Sequence, residues 1–149
     1  MEFKIPHSMK LEHEELHEEL KRLASSRGKV AEAAREVAQV LHPHFEKEEE
    51  YALPPLGLLP QLARGEISPE MADVLKMTDR LKAELPHMLE EHKAVVATLE
   101  RLVEAAKRAR RPDATTFAEK LELHAKYEEE VSYPTSILIG EYVKLKLGK

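Results

Sequence analysis

Residues 30–51 read VAEAAREVAQVLHPHFEKEEEY, and their spacing decides how the chain folds. Apolar residues recur at intervals of four, three and four, at Val30, Ala34, Val37 and Leu41. This spacing places them on one face of an α-helix, which we call the core face. The same spacing continues to His44, Glu48 and Tyr51, so two polar residues occupy positions that a hydrophobic core would normally fill. The stretch predicts a helix whose apolar core face leads into a polar site.

Three further stretches carry the same helical spacing. One of them gives Phe117, Leu121, His124, Glu128 and Val131. Another gives Leu81, Leu85, Met88, His92, Val95, Leu99, Leu102 and Ala106, and the first in the chain gives Met9, His13, Leu16, Leu20 and Leu23. Each of the four core faces therefore includes a histidine, and two of them also include a glutamate.

The breaks between these stretches predict four long helices and a short fifth. We expect the long helices at about residues 9–24, 29–52, 69–108 and 114–131, and the short one at 137–147. Ser68 and Asp113 are expected to cap the third and fourth helices, Pro43 and Pro86 to kink the second and third, and Pro134 to stop the fourth. Compact turns between such helices predict an all-α fold, an up-and-down four-helix bundle with a short extra C-terminal helix.

Length and composition narrow the class of protein. The 149 residues fit a single domain over residues 1–149, and the low glycine and aromatic content suits helices. The absence of cysteine excludes disulfides, thiolate-bound metals and thiol catalysis. A net charge of −5 disfavours nucleic acid as a partner, and no apolar run predicts a membrane span or a signal peptide. We therefore expect a cytoplasmic protein that binds neither nucleic acid nor membrane.

The two glutamates on the core faces need either protonation or a positive partner. Burying an unpaired carboxylate costs several kcal/mol, and no lysine or arginine lies on the four core faces. A divalent metal is the remaining partner, and neutral imidazoles are its natural companions. Nitrogen and oxygen ligands suit Fe, Mn or Zn, and ligand type does not choose among them.

The chain also contains an internal repeat. His13 and His44 are 31 residues apart, and His92 and His124 are 32 residues apart. The segments HFEKEEEYALP (44–54) and HAKYEEEVSYP (124–134) align with histidine, three glutamates and proline at identical offsets. Two helical hairpins related by a pseudo-twofold axis would bring both His-x3-Glu pairs and both single histidines to one site.

This pattern of His, His-x3-Glu, His and His-x3-Glu resembles the hemerythrin family, and in particular its HHE cation-binding branch. The resemblance extends over residues 13–134 and implies a four-helix bundle with two non-haem iron ions. It implies metal-ligand roles for His13, His44, Glu48, His92, His124 and Glu128, with Glu48 and Glu128 as bridging carboxylates. Oxygen-carrying hemerythrins have a further histidine four residues from the third-helix ligand, where this chain has Met88 and Val96.

The function that the resemblance implies is binding or sensing of O2, NO or a related redox ligand at the di-iron centre. An enzyme that reduces peroxide or nitric oxide, or donates iron for cluster repair, remains an alternative, as do iron storage and a structural metal. The chain has no Gly-rich phosphate loop and no nucleophile elbow, so a hydrolase is not predicted. No protein partner is predicted.

Several polar residues near the proposed ligands are expected to have other roles. His42 and Glu46 fall on the polar flank of the second helix and are expected at the surface. His17 and His87 lie one step off the core face, where we expect structural or solvent-facing roles, with bonding to a ligand or lining of an access route as the alternative. Glu49 and Glu129 are expected to point away from the core face into solvent.

Overall fold

Helices make up most of the chain in the computed structural model, which describes all 149 residues. The α-helices are α1 (His7–Ala24), α2 (Gly28–Lys47), α3 (Leu59–Ala63), α4 (Leu75–Ala109), α5 (Pro112–Tyr127) and α6 (Tyr133–Leu147). Two 3₁₀ segments, Pro54–Leu58 and Pro69–Val74, flank the short α3 in the connection between α2 and α4. No strand is present, and the predicted all-α class is confirmed.

Helices α1, α2, α4 and α5 form the four-helix bundle. Helix α2 packs along α4, α4 packs along α5, and α1 closes the bundle against α2 and α5. Helix α6 packs against α4 and against the 3₁₀ segments of the long connection. The predicted bundle with an additional C-terminal helix is therefore confirmed.

The predicted core faces are buried apart from Met9, Leu85 and Val131. The largest apolar cluster lies between the four bundle helices and includes Leu16, Val37, Leu99 and Leu121. A smaller cluster contains Tyr51, Leu81, Met88 and Tyr133. Along each helix the buried histidines and glutamates fall next to members of these clusters, so apolar side chains surround the polar site.

One of the expected proline effects differs from the structure. Helices α2 and α4 continue as α-helix through Pro43 and Pro86. Pro134 does not stop the fourth helix, because it lies in the first turn of α6. Proline is tolerated there since the first-turn amides of a helix have no intrahelical acceptor. The chain therefore runs from α5 into α6 without a break.

Two π-helical turns, Glu48–Ala52 and Glu128–Ser132, follow α2 and α5 directly. The amide of Leu53 donates to the carbonyl of Glu48 at 2.9 Å, and the amide of Tyr133 donates to the carbonyl of Glu128. A proline follows each of these amides and cannot donate itself, which favours the wider turn. Such turns insert one extra residue and are frequent at functional sites.

Ser68 occupies the expected N-cap position before Pro69, whereas the N-cap of α5 is Arg111 rather than Asp113. Neither Ser68 nor Asp113 makes a capping hydrogen bond. The Ser68-Pro69 boundary begins a 3₁₀ segment, and α4 starts only at Leu75. Asp113 lies inside the first turn of α5, where its carboxylate accepts two hydrogen bonds from Arg111, at 3.0 and 2.9 Å.

Candidate metal centre

The structure brings the six predicted site residues together inside the bundle. Each is at most 8% exposed, although all six carry polar side chains. They form two groups of mutually close donor atoms: His44, Glu48, His92 and Glu128 in the first group, and His13, His124 and Glu128 in the second. Each group therefore contains one histidine from each half of the internal repeat.

The first group is arranged around the Nε2 atoms of two histidines. His44 Nε2 lies 3.5 Å from Glu48 Oε1, and His92 Nε2 lies 3.4 Å from Glu128 Oε1. The imidazole ring centroids are 4.6 Å apart at an angle of 63°. Two nitrogens and two carboxylate oxygens thus face a common point.

The second group is arranged around His13 and His124. Their Nε2 atoms are 3.1 Å apart, and Glu128 Oε2 lies 3.4 Å from the first and 3.1 Å from the second. Glu48 Oε1 lies 3.9 Å from His13 Nε2. Glu128 therefore presents Oε1 to His92 of the first group and Oε2 to both histidines of the second, as a bridging carboxylate does.

Three of the four histidines are hydrogen-bonded through Nδ1 to carboxylates outside the two groups. Oxygens of Glu91 and Glu129 accept from the Nδ1 atoms of His44 and His92 at 2.9 and 3.0 Å, and Glu12 accepts from Nδ1 of His124. A hydrogen on Nδ1 leaves the Nε2 lone pair free and directed into the site. Metal-binding histidines are commonly oriented in this way.

These supporting contacts follow the internal repeat. Glu12 directly precedes His13 and bonds to His124, while Glu91 directly precedes His92 and bonds to His44. The sequence has a Glu-His pair at both positions, but helical spacing alone gives these two glutamates no role. The signal was present, because a pseudo-twofold axis places each glutamate beside the histidine of the other hairpin.

Glu129 corrects an expectation about the residues next to the core face. It was expected to point into solvent, but it is only 32% exposed and bonds to His92. The corresponding residue of the first repeat, Glu49, is more exposed and lies 3.8 Å from His13 Nδ1, too far for a hydrogen bond. His13 Nδ1 has no hydrogen-bond partner, and the ring stacks on Phe45 at 4.1 Å.

Tyr133 is the residue at the site that sequence reasoning missed. Its side chain is fully buried, and its hydroxyl donates to Glu48 Oε2 at 2.7 Å. The phenol oxygen of Tyr133 also lies 3.1 Å from both His44 Nε2 and His92 Nε2. Tyr133 lies five residues after Glu128, a position that α-helical spacing does not place on the core face.

The pKa values of the two buried glutamates are shifted in opposite directions. Burial raises the pKa of Glu48 well above its ordinary value, and the charge of Glu128 adds to the rise. Burial also acts to raise the pKa of Glu128, but hydrogen bonds with Glu48 and with the surrounding histidines hold it well below its ordinary value. Without a cation the pair therefore carries one negative charge rather than two.

The histidines respond to the same charges. Burial lowers the pKa of His44, although the hydrogen bond that its Nδ1 donates to Glu91 acts to raise it. Burial acts in the same direction on His92 and His124, but the carboxylate of Glu128 and their Nδ1 partners raise the pKa of both. The pKa values of His92 and His124 are thus set by a balance between burial and the carboxylates around each ring.

The donor set fits a metal cation. Glu48 Oε1 is buried without a hydrogen-bond partner, and the Nε2 atoms of His13 and His124 lie 3.1 Å apart. A cation between these atoms would satisfy all of them at once. The set offers only nitrogen and oxygen, which Fe, Mn and Zn accept.

A groove of about 440 Å³ between α1 and α2 reaches this site. Buried His13 and Phe45 form its floor, and His17 and His42 lie beside each other at its wall with ring centroids 5.1 Å apart. His42 is exposed, as predicted. His87 is exposed and lies 3.6 Å from Glu91, so it is near a supporting carboxylate but outside the two groups.

Comparison with protein families agrees with this geometry. Residues 4–136 match the family described as Hemerythrin HHE cation binding domain, which is most of the chain. The protein belongs to this family of cation-binding four-helix bundles. Comparisons with curated proteins and with solved structures gave no match. None of the helices combines the length and apolar character that crossing a membrane requires.

Proposed function

We propose that the site binds two iron ions, with His44 and His92 on one ion, His13 and His124 on the other, and Glu48 and Glu128 bridging them. The observation that carries this proposal is the orientation of Glu128, whose Oε1 lies 3.4 Å from His92 and whose Oε2 lies 3.4 and 3.1 Å from His13 and His124. Membership of the HHE family favours iron over Mn and Zn, which the same ligands would accept.

The function that we infer is binding or sensing of O2, NO or a related redox ligand. Four imidazoles and two bridging carboxylates give each ion two nitrogens and two oxygens, fewer than the six ligands of octahedral iron. Bound iron would supply redox activity and open coordination positions for a small ligand. The groove that ends at His13 offers a small ligand a route to the site.

The protein's own residues prepare the site for this task. Glu12, Glu91 and Glu129 keep the Nδ1 protons in place, so that three Nε2 lone pairs already point inward before an ion binds. The apolar layers around the site exclude bulk water and strengthen the electrostatic attraction between the carboxylates and a cation. A buried, pre-oriented ligand set suits a stable centre better than transient iron storage.

Anaerobic ligand titration tests this function. Iron-loaded protein is titrated under argon with O2, NO and peroxide in turn, and its visible spectrum is recorded. A saturable spectral change that reverses when the ligand is removed is expected for a sensor or carrier. Consumption of many equivalents of peroxide or NO per chain would instead show an enzyme. The Glu48→Gln variant, without the bridging carboxylate, is the control and is expected to show no change.

A further inference from the structure

Tyr133 places a phenol oxygen where the donor atoms of the first group converge. The side chain is 0% exposed, and the oxygen lies 3.1 Å from the Nε2 atoms of both His44 and His92. It also lies 2.7 Å from Glu48 Oε2. No other hydroxyl group is within hydrogen-bond distance of the six site residues.

Three acceptors surround this one hydroxyl group. Glu91 and Glu129 hold the Nδ1 protons of His44 and His92, which makes both inward Nε2 atoms acceptors. Glu48 Oε2 is the third acceptor, and the phenol has a single hydrogen to donate. At least two lone pairs therefore face the phenol oxygen without a proton, an arrangement that costs free energy unless a cation joins them.

The π-helical turn explains how Tyr133 reaches the site. In a continuous α-helix, a residue five positions after Glu128 would point about 140° away from it, at about 100° per residue. The extra residue in the turn Glu128–Ser132 removes about 100° of this difference, so Tyr133 again faces the core. Val131, which α-helical spacing places inside, is instead 42% exposed.

The repeat is asymmetric at this position. Tyr133 and Pro134 align with Leu53 and Pro54 of the first hairpin, and both hairpins contain the π-helical turn. The leucine has no donor atom. The phenol oxygen therefore belongs to the group of His44 and His92, and the group of His13 and His124 has no equivalent.

We propose that the phenol oxygen of Tyr133 is a further protein ligand of the metal ion held by His44 and His92, so that the two ions of the centre are inequivalent. This rests on the proposed dinuclear function. The ion takes the position at which the acceptor atoms meet, and the phenol proton leaves to solvent when the ion binds. The ion held by His13 and His124 keeps the more open coordination, and it is the one closest to the groove, whose floor includes His13.

A phenolate bound to ferric iron has a charge-transfer absorption in the visible range, and resonance Raman excitation in that band reveals the vibrations of the bound phenolate ring. The test loads the full-length protein with Fe(II) under argon, oxidises it with ferricyanide and records both spectra together with iron content. Tyr133→Phe removes only the oxygen. Tyr51→Phe is the matched control, because Tyr51 is 1% exposed but its hydroxyl donates to Glu84 at 2.9 Å, outside the site.

The phenolate band is expected in the wild type and in Tyr51→Phe, and it should be lost in Tyr133→Phe, in which one of the two ions binds at least about ten-fold more weakly. If two irons bind and no phenolate vibrations appear in the wild type, Tyr133 is only a hydrogen-bond donor to Glu48, and this inference fails while the dinuclear site stands. If the wild type binds no iron, both fail. The wild-type Raman spectrum decides the matter even if Tyr133→Phe does not fold.

Discussion

Glu129 Oε1 lies 3.0 Å from the Nδ1 atom of His92, although Glu129 directly follows the buried Glu128 and was expected in solvent. The side chain of Glu128 thus lies in the site, and that of Glu129 accepts a hydrogen bond from the outer nitrogen of His92. Glu129→Gln is therefore expected to weaken metal binding by about 10- to 100-fold, because the amide supports the imidazole less well. Glu130 is exposed, so Glu130→Gln is the control. Equal metal affinity of the two variants in a competition titration would contradict this role.

The bridging role predicts a larger effect of the buried glutamates. Glu48→Gln or Glu128→Gln removes an anion shared by both histidine pairs, so each change should empty both sites. Glu50→Gln is the control for the first, because Glu50 is exposed and pairs only with Arg80, at 3.1 Å. Metal analysis checks this prediction. Loss of one ion with retention of the other would show that the carboxylate binds a single ion.

In the metal-free protein, Glu48→Gln and Glu128→Gln should change the free energy of unfolding in opposite directions. The raised pKa of Glu48 favours its neutral form, so its contribution to stability is present below the ordinary value of 4.5 and is lost as the pH rises through the folded value. Glu48→Gln imitates the neutral form and should stabilise the metal-free protein at pH 7 by about 1 kcal/mol or more.

The pKa of Glu128 is shifted in the opposite direction to that of Glu48. Its lowered pKa favours the ionised form, whose contribution is present above 4.5 and is lost as the pH falls through the folded value. Glu128→Gln should therefore destabilise the metal-free protein at pH 7. Urea unfolding of both variants with chelator present measures their free energies of unfolding. Destabilisation by Glu48→Gln would show that burial of the Glu48 carboxylate does not destabilise the metal-free protein.

His42 and His44 provide a test at two positions of one helical turn that face in different directions. His44 is 1% exposed with Nε2 in the site, whereas His42 is exposed in the groove. His44→Ala should lose at least one ion per chain, and His42→Ala should keep both. Iron content after identical reconstitution distinguishes the two variants. Loss of metal in His42→Ala alone would mean that the groove histidine is a ligand.

The periodicity of the core faces was enough to identify the six residues that the structure brings together. Helical spacing is a local property, and a histidine or glutamate in an apolar series is visible without tertiary information. Tyr133 could not be found in this way, because the π-helical turn changes the register by one residue. The supporting role of Glu129 depends on where His92 lies in another helix, which spacing within one helix does not report.

Metal content per chain tests the central proposal most directly. The protein is reconstituted anaerobically with excess Fe(II), freed of unbound metal and analysed for iron against protein concentration. Two ions per chain are expected, because the two histidine pairs share Glu128 through its separate oxygens. A reproducible value of one ion per chain, or none, would contradict the dinuclear centre.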